Sequence, residues 1–157
     1  KEVQGKQKQG ASHGYTSKLG DHPLIATRSG SGEMLHVRFR TGRANTQRGV
    51  IRFTDELIAR VRRAGARGEI LLRADSGFHN KALRTRLASK GVLYSISVRL
   101  TPPTMAAIGL ITEDAWSVLA DYPKTAEAPI AEPLGDGERL IVHRVRPAGD
   151  HPPLVKT

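Results

Sequence analysis

Asp75 closes the short apolar run Glu69-Ile70-Leu71-Leu72-Arg73-Ala74 and opens a Ser76-Gly77 turn. A carboxylate at the end of a buried strand, in a turn freed by a glycine, can coordinate a hard cation such as Mg²⁺. The same Asp-Ser-Gly also makes an ordinary strand-to-helix turn in which the acid or the serine caps the next helix, and pattern alone leaves both readings open. A second set of residues is basic. Arg48, Arg52 and Arg63 fall on one face of a predicted helix, where guanidinium groups can pair with phosphates or simply stay solvated. Lys6, Lys8, His13, Tyr15 and Lys18 form a glycine-punctuated loop. Such a loop can follow a nucleic-acid backbone and stack Tyr15 on a base or sugar; it can equally be a solvated loop. His13 and His22 have no partner at ligand spacing, so a metal site built on them is rejected. The chain has no phosphate-binding glycine-rich loop of the Walker type and no nucleophile elbow. Trp116 reads as core.

These residues need elements to position them. Lys1–Asp21 shows no apolar period and reads as an extended loop with short strand character near Tyr15. His22–Arg28 reads as a strand, Ser29–Gly32 as a turn, and Met34–Arg40 as a second strand, together an antiparallel hairpin. In the second strand Leu35, Val37 and Phe39 alternate with His36, Arg38 and Arg40, the period of a half-buried strand. Asn45 or Thr46 is placed to cap a helix over Gln47–Ala64, whose apolar positions are Val50, Phe53, Leu57, Val61 and Ala64. Gly65 and Gly68 end it. The run closing at Asp75 reads as a strand, Asn80–Lys90 as a helix with Ala82, Leu83 and Leu87 inward, and Val92–Leu100 as another buried strand. Beyond Pro102-Pro103 a short helix is predicted through Ile111. Trp116–Val145 then looks β-rich, with candidate strands at Ala128–Pro133 and Arg139–Val145 around Gly135-Asp136-Gly137. The order hairpin, helix, strand, helix, strand predicts a mixed α/β sheet. Ligand sites on such sheets lie beyond strand C-termini, which is where Asp75 falls.

The totals narrow the class. A chain of 157 residues is about one domain. No apolar run is long enough to span a bilayer and no secretory signal is visible. Zero cysteines exclude disulfides and thiolate metal sites and fit a cytosolic protein. With 25 Lys+Arg against 15 Asp+Glu the net charge is +10, which favours a polyanionic partner, usually nucleic acid. Residues 36–73 alone carry +7, whereas residues 101–157 carry −3, so two regions with different jobs are expected. The chain starts at Lys1 rather than Met, and a missing upstream segment is expected.

A resemblance runs through most of the chain. Gly5-Lys6-Gln7-Lys8-Gln9-Gly10-Ala11, Gly14-Tyr15-Thr16, Gly20 and His22-Pro23-Leu24 come first. Gly42-Arg43-Ala44-Asn45-Thr46, Ala59-Arg60-Val61-Arg62-Arg63-Ala64-Gly65 and Arg73-Ala74-Asp75-Ser76-Gly77-Phe78 follow. Tyr94-Ser95-Ile96, Glu113-Asp114-Ala115-Trp116 and Arg139-Leu140-Ile141-Val142 complete the series. In that order these segments resemble DDE-type transposases of bacterial insertion sequences, closest to the group numbered thirteen-eighty. Gln4 departs from an aromatic position of that pattern, and His79 stands where relatives often carry Trp.

The resemblance implies an RNase H-like fold in which two Asp and one Glu hold two divalent ions, Mg²⁺ or Mn²⁺, for phosphoryl transfer on DNA. Asp75 matches the second carboxylate. The first is expected just before Lys1 and the third beyond Thr157, making this an internal fragment that is inactive alone. Residues 1–111 correspond to a partial catalytic core with a mixed sheet and flanking helices, and residues 112–157 to the start of a β-rich insertion. Lys8, His13, Tyr15, Arg38 and Asn45 are the expected DNA contacts. The implied partners are transposon-end and target DNA and a second copy of the protein, with no membrane, at the nucleoid of a bacterial cytoplasm. Two other readings stand beside it: a catalytically dead remnant that only binds nucleic acid, and a small hydrolase using Asp75 as nucleophile, for which the sequence offers no acid-base partner.

Overall fold

The computed structural model describes residues 2, 9–14, 17–131, 138–145 and 154–156. The chain divides into two compact units, Lys1–Ile96 and Ser97–Thr157.

The first unit opens with β1 (Ser12–His13) and β2 (Leu19–Gly20), a minimal antiparallel pair. The predicted hairpin follows as β3 (Leu24–Thr27) and β4 (Met34–Arg38), with Leu24 opposite Arg38, Ile25 opposite Val37, and a bulge between Ala26 and Thr27. Its faces are not used as the alternation predicts. His36 stacks on Phe53 of helix α1 (Val50–Arg63), with ring centroids 4.7 Å apart, and Arg38 pairs with Glu56 of the same helix. Phe39 is 69% exposed. The helix presents a ring and a carboxylate to the strand, so the polar row satisfies its charge there and the apolar row is left partly open.

Helix α1 buries Val50, Phe53 and Thr54 and ends where the glycines predict, with Gly65 at φ 101°. Its start is later than expected. Gly49 (φ 75°) precedes it with no side-chain cap, and the Asn45 side chain accepts a hydrogen bond from the Gln47 amide in a turn ahead of the helix. The reason is a tertiary contact: Arg40 takes the carbonyls of Asn45, Thr46 and Arg48, which the opening turn of a longer helix would have needed.

Strand β5 (Leu71–Ala74), helix α2 (Lys81–Ser89) and strand β6 (Leu93–Ile96) form the predicted crossover, with β5 and β6 parallel and in register Leu71 to Leu93 through Ala74 to Ile96. Asn80 caps α2 by accepting from the Leu83 amide. Leu83 and Leu87 pack with Val50 and Val92 into the core of this unit, where Leu72, Phe78, Tyr94 and Ile96 join them. Ala82, expected inward, is exposed. The strands are buried on one side only: Leu71 is 56% exposed and Leu93 52%. Helices α1 and α2 supply apolar surface to the face of Leu72 and Tyr94, and nothing described covers the other face.

The expected single mixed sheet resolves into separate pairs, β3 with β4 and β5 with β6. Among the described residues β3 and β5 each keep one ladder edge open. Both edges line a cavity of about 280 Å³ floored by Val50, Phe53, Leu57 and Ile58 of α1. Backbone groups at such an edge are unsatisfied templates for further pairing.

The second unit contains α3 (Pro102–Gly109) and a four-stranded antiparallel sheet of β7 (Ser117–Leu119), β8 (Tyr122–Ala131), β9 (Arg139–Val145) and β10 (Leu154–Lys156), in the order β10-β9-β8-β7. Prolines at its first turn and the Thr101 cap start α3. Ile108, Leu140 and Val142 form the core, and Trp116 packs against it as expected. Arg144 stacks over the Trp116 ring at 4.3 Å and meets Glu113 through two hydrogen bonds of 2.7 and 3.0 Å. The Gly135-Asp136-Gly137 turn lies outside the described residues. Among the described residues no helix is long and apolar enough to cross a membrane.

Candidate functional site

Asp75 stands one residue past the end of β5, in extended backbone (φ −79°, ψ 176°), and leads a short helical turn over Ser76–Phe78. Its Oδ1 accepts a hydrogen bond of 2.8 Å from the Gly77 amide, and its carbonyl accepts from the Phe78 amide at 3.1 Å. The second helix, which the sequence offered to the acid or the serine, is capped by Asn80, whereas Asp75 caps only the short turn over Ser76–Phe78. The residue is nonetheless exposed, and its second carboxylate oxygen has no hydrogen bond among the described residues. One oxygen fixes the orientation of the group while the other faces solvent.

The turn leans on a second loop. A Cβ placed on Gly77 would lie 3.0 Å from both Asp75 Oδ1 and Thr46 Cγ2, so a side chain there would press the carboxylate and the Thr41–Gly49 loop apart. That loop is wound around one guanidinium. Arg40 Nη1 donates to the carbonyls of Asn45 (2.9 Å), Thr46 (3.1 Å) and Arg48 (2.8 Å), and its Nε donates to the His22 carbonyl (2.8 Å). His22 Nδ1 donates to the Ala44 carbonyl at 2.7 Å, which requires the proton on that nitrogen. Arg40 Nη2 is buried and has no acceptor among the described residues. Burial first, and Arg48 second, lower the Arg40 pKa.

The far side of the loop meets β1 and β2. A side chain on Gly42 would collide with the carbonyls of Ser12 and Gly20, and the Arg43 amide donates to Ser12 Oγ at 2.9 Å. Three sequence-distant segments thus touch in series: the β1–β2 pair, the Thr41–Gly49 loop and the Asp75 turn. Arg43, Asn45 and Arg48 are exposed along this loop. The side chains of Arg43 and Arg48 have no ion-pair or hydrogen-bond partner among the described residues.

The expected contact residues are scattered around this assembly. His13 is exposed on β1. Asn45 lies on the loop itself, with its Oδ1 taken by the Gln47 amide. Arg38 turns toward α1, where Glu56 receives it together with His36 Nε2 at 3.1 Å and Arg52 at 3.0 Å. These partners, His36 first, hold the Glu56 carboxyl at about 2, against an ordinary 4.5. Lys8 and Tyr15 lie outside the described residues. Sequence reasoning took Gly77 as the residue that frees the turn and Thr46 as a candidate helix cap, but missed Arg40 and Gly42 as organisers. The run Gly42-Arg43-Ala44-Asn45-Thr46 carried the only local signal, two turn formers around a lone cation.

A family model described as transposase DDE domain group 1 matches residues 1–126. The chain belongs to that family. No curated protein and no solved structure matches it significantly. The match spans the whole first unit, including Asp75 and the loops around it, and runs into β8. DDE transposases serve DNA transposition by phosphoryl transfer on DNA and generally use divalent metals. In this DDE domain Asp75 offers the hard oxygen such a cation prefers, yet no group of three or more His, Cys, Asp or Glu residues among the described residues is placed to hold one. Asp75 alone therefore does not make a metal cage.

Proposed function

We propose that the chain is the part of an insertion-sequence transposase, of the group numbered thirteen-eighty, that supplies Asp75 as one of three metal-binding carboxylates. The other two come from outside the described residues, and together they hold two Mg²⁺ or Mn²⁺ ions. Such a pair activates the attacking oxygen and stabilises the leaving one in strand cleavage and joining. The observation that carries this reading is the juxtaposition of an oriented, exposed carboxylate with a loop bearing two unpaired arginines. Thr46 of that loop packs against the Asp75 turn, so a phosphodiester drawn to the loop's arginines is brought toward the carboxylate. The open edges of β3 and β5 support it further, because they leave an apolar groove that a further strand could fill, ending level with Asp75.

On this reading residues 1–111 are part of an RNase H-like core and residues 112–157 the start of a β-rich insertion. DNA partners are the transposon ends and target, the intact protein works as a homodimer, and its place is the bacterial nucleoid. His13 and Asn45 stay as DNA contacts beside Arg43 and Arg48, and Lys8 and Tyr15 extend the surface. Arg38 lends its charge mainly to Glu56.

One competitor is a remnant whose exposed arginines bind nucleic acid without chemistry. Incubating the intact protein with transposon-end DNA and Mg²⁺ separates the two. Strand cleavage supports the transposase reading; binding without cleavage overturns it in favour of the remnant.

A further inference from the structure

Arg40 has no exposed role of its own, yet the loop beside Asp75 is built around it. One guanidinium nitrogen gathers three carbonyls and a second nitrogen takes a fourth, all within 2.8–3.1 Å. No other side chain offers this many donors in a fixed plane, and a lysine ammonium would lack the fork. The charge is partly withdrawn from water, with Nη2 buried and unpaired among the described residues, so the carbonyl dipoles are what compensate it. The loop and the cation depend on each other. On the outer side of the same nine-residue turn lie Arg43 and Arg48, and the Arg48 carbonyl is itself one of the four acceptors. Arg48 is also close enough to disfavour the Arg40 charge. Exposed arginines without acidic partners are stabilised by an incoming polyanion.

From this we infer that Arg40 is a positioning residue for DNA: it shapes the Thr41–Gly49 loop so that Arg43 and Arg48 grip phosphates next to Asp75. The inference rests on the reading that this face of the domain meets DNA. It predicts coupling, since removing the organiser should disable the gripping residues even when the organiser's charge is kept.

The test is equilibrium binding of the 157-residue chain to a duplex oligonucleotide over a range of salt concentrations. Arg48→Gln should weaken binding about tenfold at low salt and make the log K against log salt slope shallower by about one. Arg40→Lys, which preserves charge but releases both Arg43 and Arg48, should weaken binding more and make the slope shallower by about two. The double variant Arg40→Lys/Arg48→Gln should be no worse than Arg40→Lys alone. A merely structural role would lower the folded fraction and shift affinity by a constant factor without changing the slope. Native slope in Arg40→Lys, or multiplicative losses in the double variant, overturns the positioning role while leaving DNA binding intact. Failure of the unaltered chain to bind duplex at low salt overturns the DNA reading and this inference with it. If Arg40→Lys does not fold, Arg40→Gln takes its place in the double-variant comparison: a loss no greater when Arg48→Gln is added supports the positioning role, and multiplicative losses overturn it.

Discussion

Residues 1–96 carry 19 basic against 7 acidic side chains, whereas residues 97–157 carry 6 against 8. The two units also use their cations differently. In the second, Arg144 is stacked on Trp116 and forked onto Glu113, an arrangement that serves packing. In the first, much of the basic surplus is paired within the fold: Arg38 and Arg52 go to Glu56, Arg86 grips Asp55 at 2.9 and 3.0 Å, and Arg40 and Arg62 hold loop carbonyls. Net charge alone would have assigned all of these to a ligand. What the comparison teaches is that the informative cations are those left over, and Arg43 and Arg48 stand out because they lie on the loop that touches the Asp75 turn.

The contrast can be broken in several places. Leu87 is fully buried between α1, α2 and the β6 side of the first unit. Leu87→Ala should cost about 2–5 kcal/mol, read as a fall in the urea midpoint of helical circular dichroism; a change under 1 kcal/mol would mean the core is not where the structure puts it. Gly42→Ala comes next. Its methyl group has to displace the Ser12 or Gly20 carbonyl, so about 1–3 kcal/mol of stability should be lost, together with duplex binding at low salt. Unchanged binding would separate β1 and β2 from the DNA surface.

A third change concerns pH. Glu56 sits at about 2, below its ordinary 4.5, through hydrogen bonds from His36, Arg52 and Arg38 in turn. A depressed carboxylate stabilises the folded state fully above its unfolded pKa, and that contribution fades as pH falls from about 4.5 toward about 2. Glu56→Gln should therefore flatten the pH dependence of the unfolding midpoint in that window and leave its slope near neutrality alone. A slope equal to that of the unaltered chain would remove Glu56 from the network. The smallest effect is expected in the second unit, where Glu113→Gln loosens the solvent-exposed partner of Arg144. It should cost about 0.5 kcal/mol by the same denaturation measurement, and a loss above 2 kcal/mol would give that pair the importance reserved here for the first unit's network.

Local order was legible where local rules decide it. The three- and four-residue spacing of Val50, Phe53, Leu57 and Val61 announced α1, Gly65 its end, and the apolar run before Asp75 a strand closing on an acid. What escaped was set by partners far along the chain. The start of α1 moved because Arg40 claims the carbonyls of its predicted first turn. The polar row of β4 turned to the helix because Phe53 and Glu56 meet it there. The outer faces of β5 and β6 stayed open because both helices pack on the other side. Asp75 itself was visible from its position, but the loop that accompanies it depended on Gly42 and Gly77, whose missing side chains make room for contacts no periodicity encodes.

The most direct measurement replaces Asp75 in the intact transposase and follows strand cleavage of transposon-end DNA alongside DNA binding. The chain has no cysteine of its own, so Asp75→Cys introduces a single soft ligand that suits Mn²⁺ better than Mg²⁺. The account predicts that Asp75→Asn binds DNA but does not cut it with either ion, and that Asp75→Cys is silent with Mg²⁺ and regains cleavage with Mn²⁺. Undiminished Mg²⁺-dependent cleavage by both variants would contradict it.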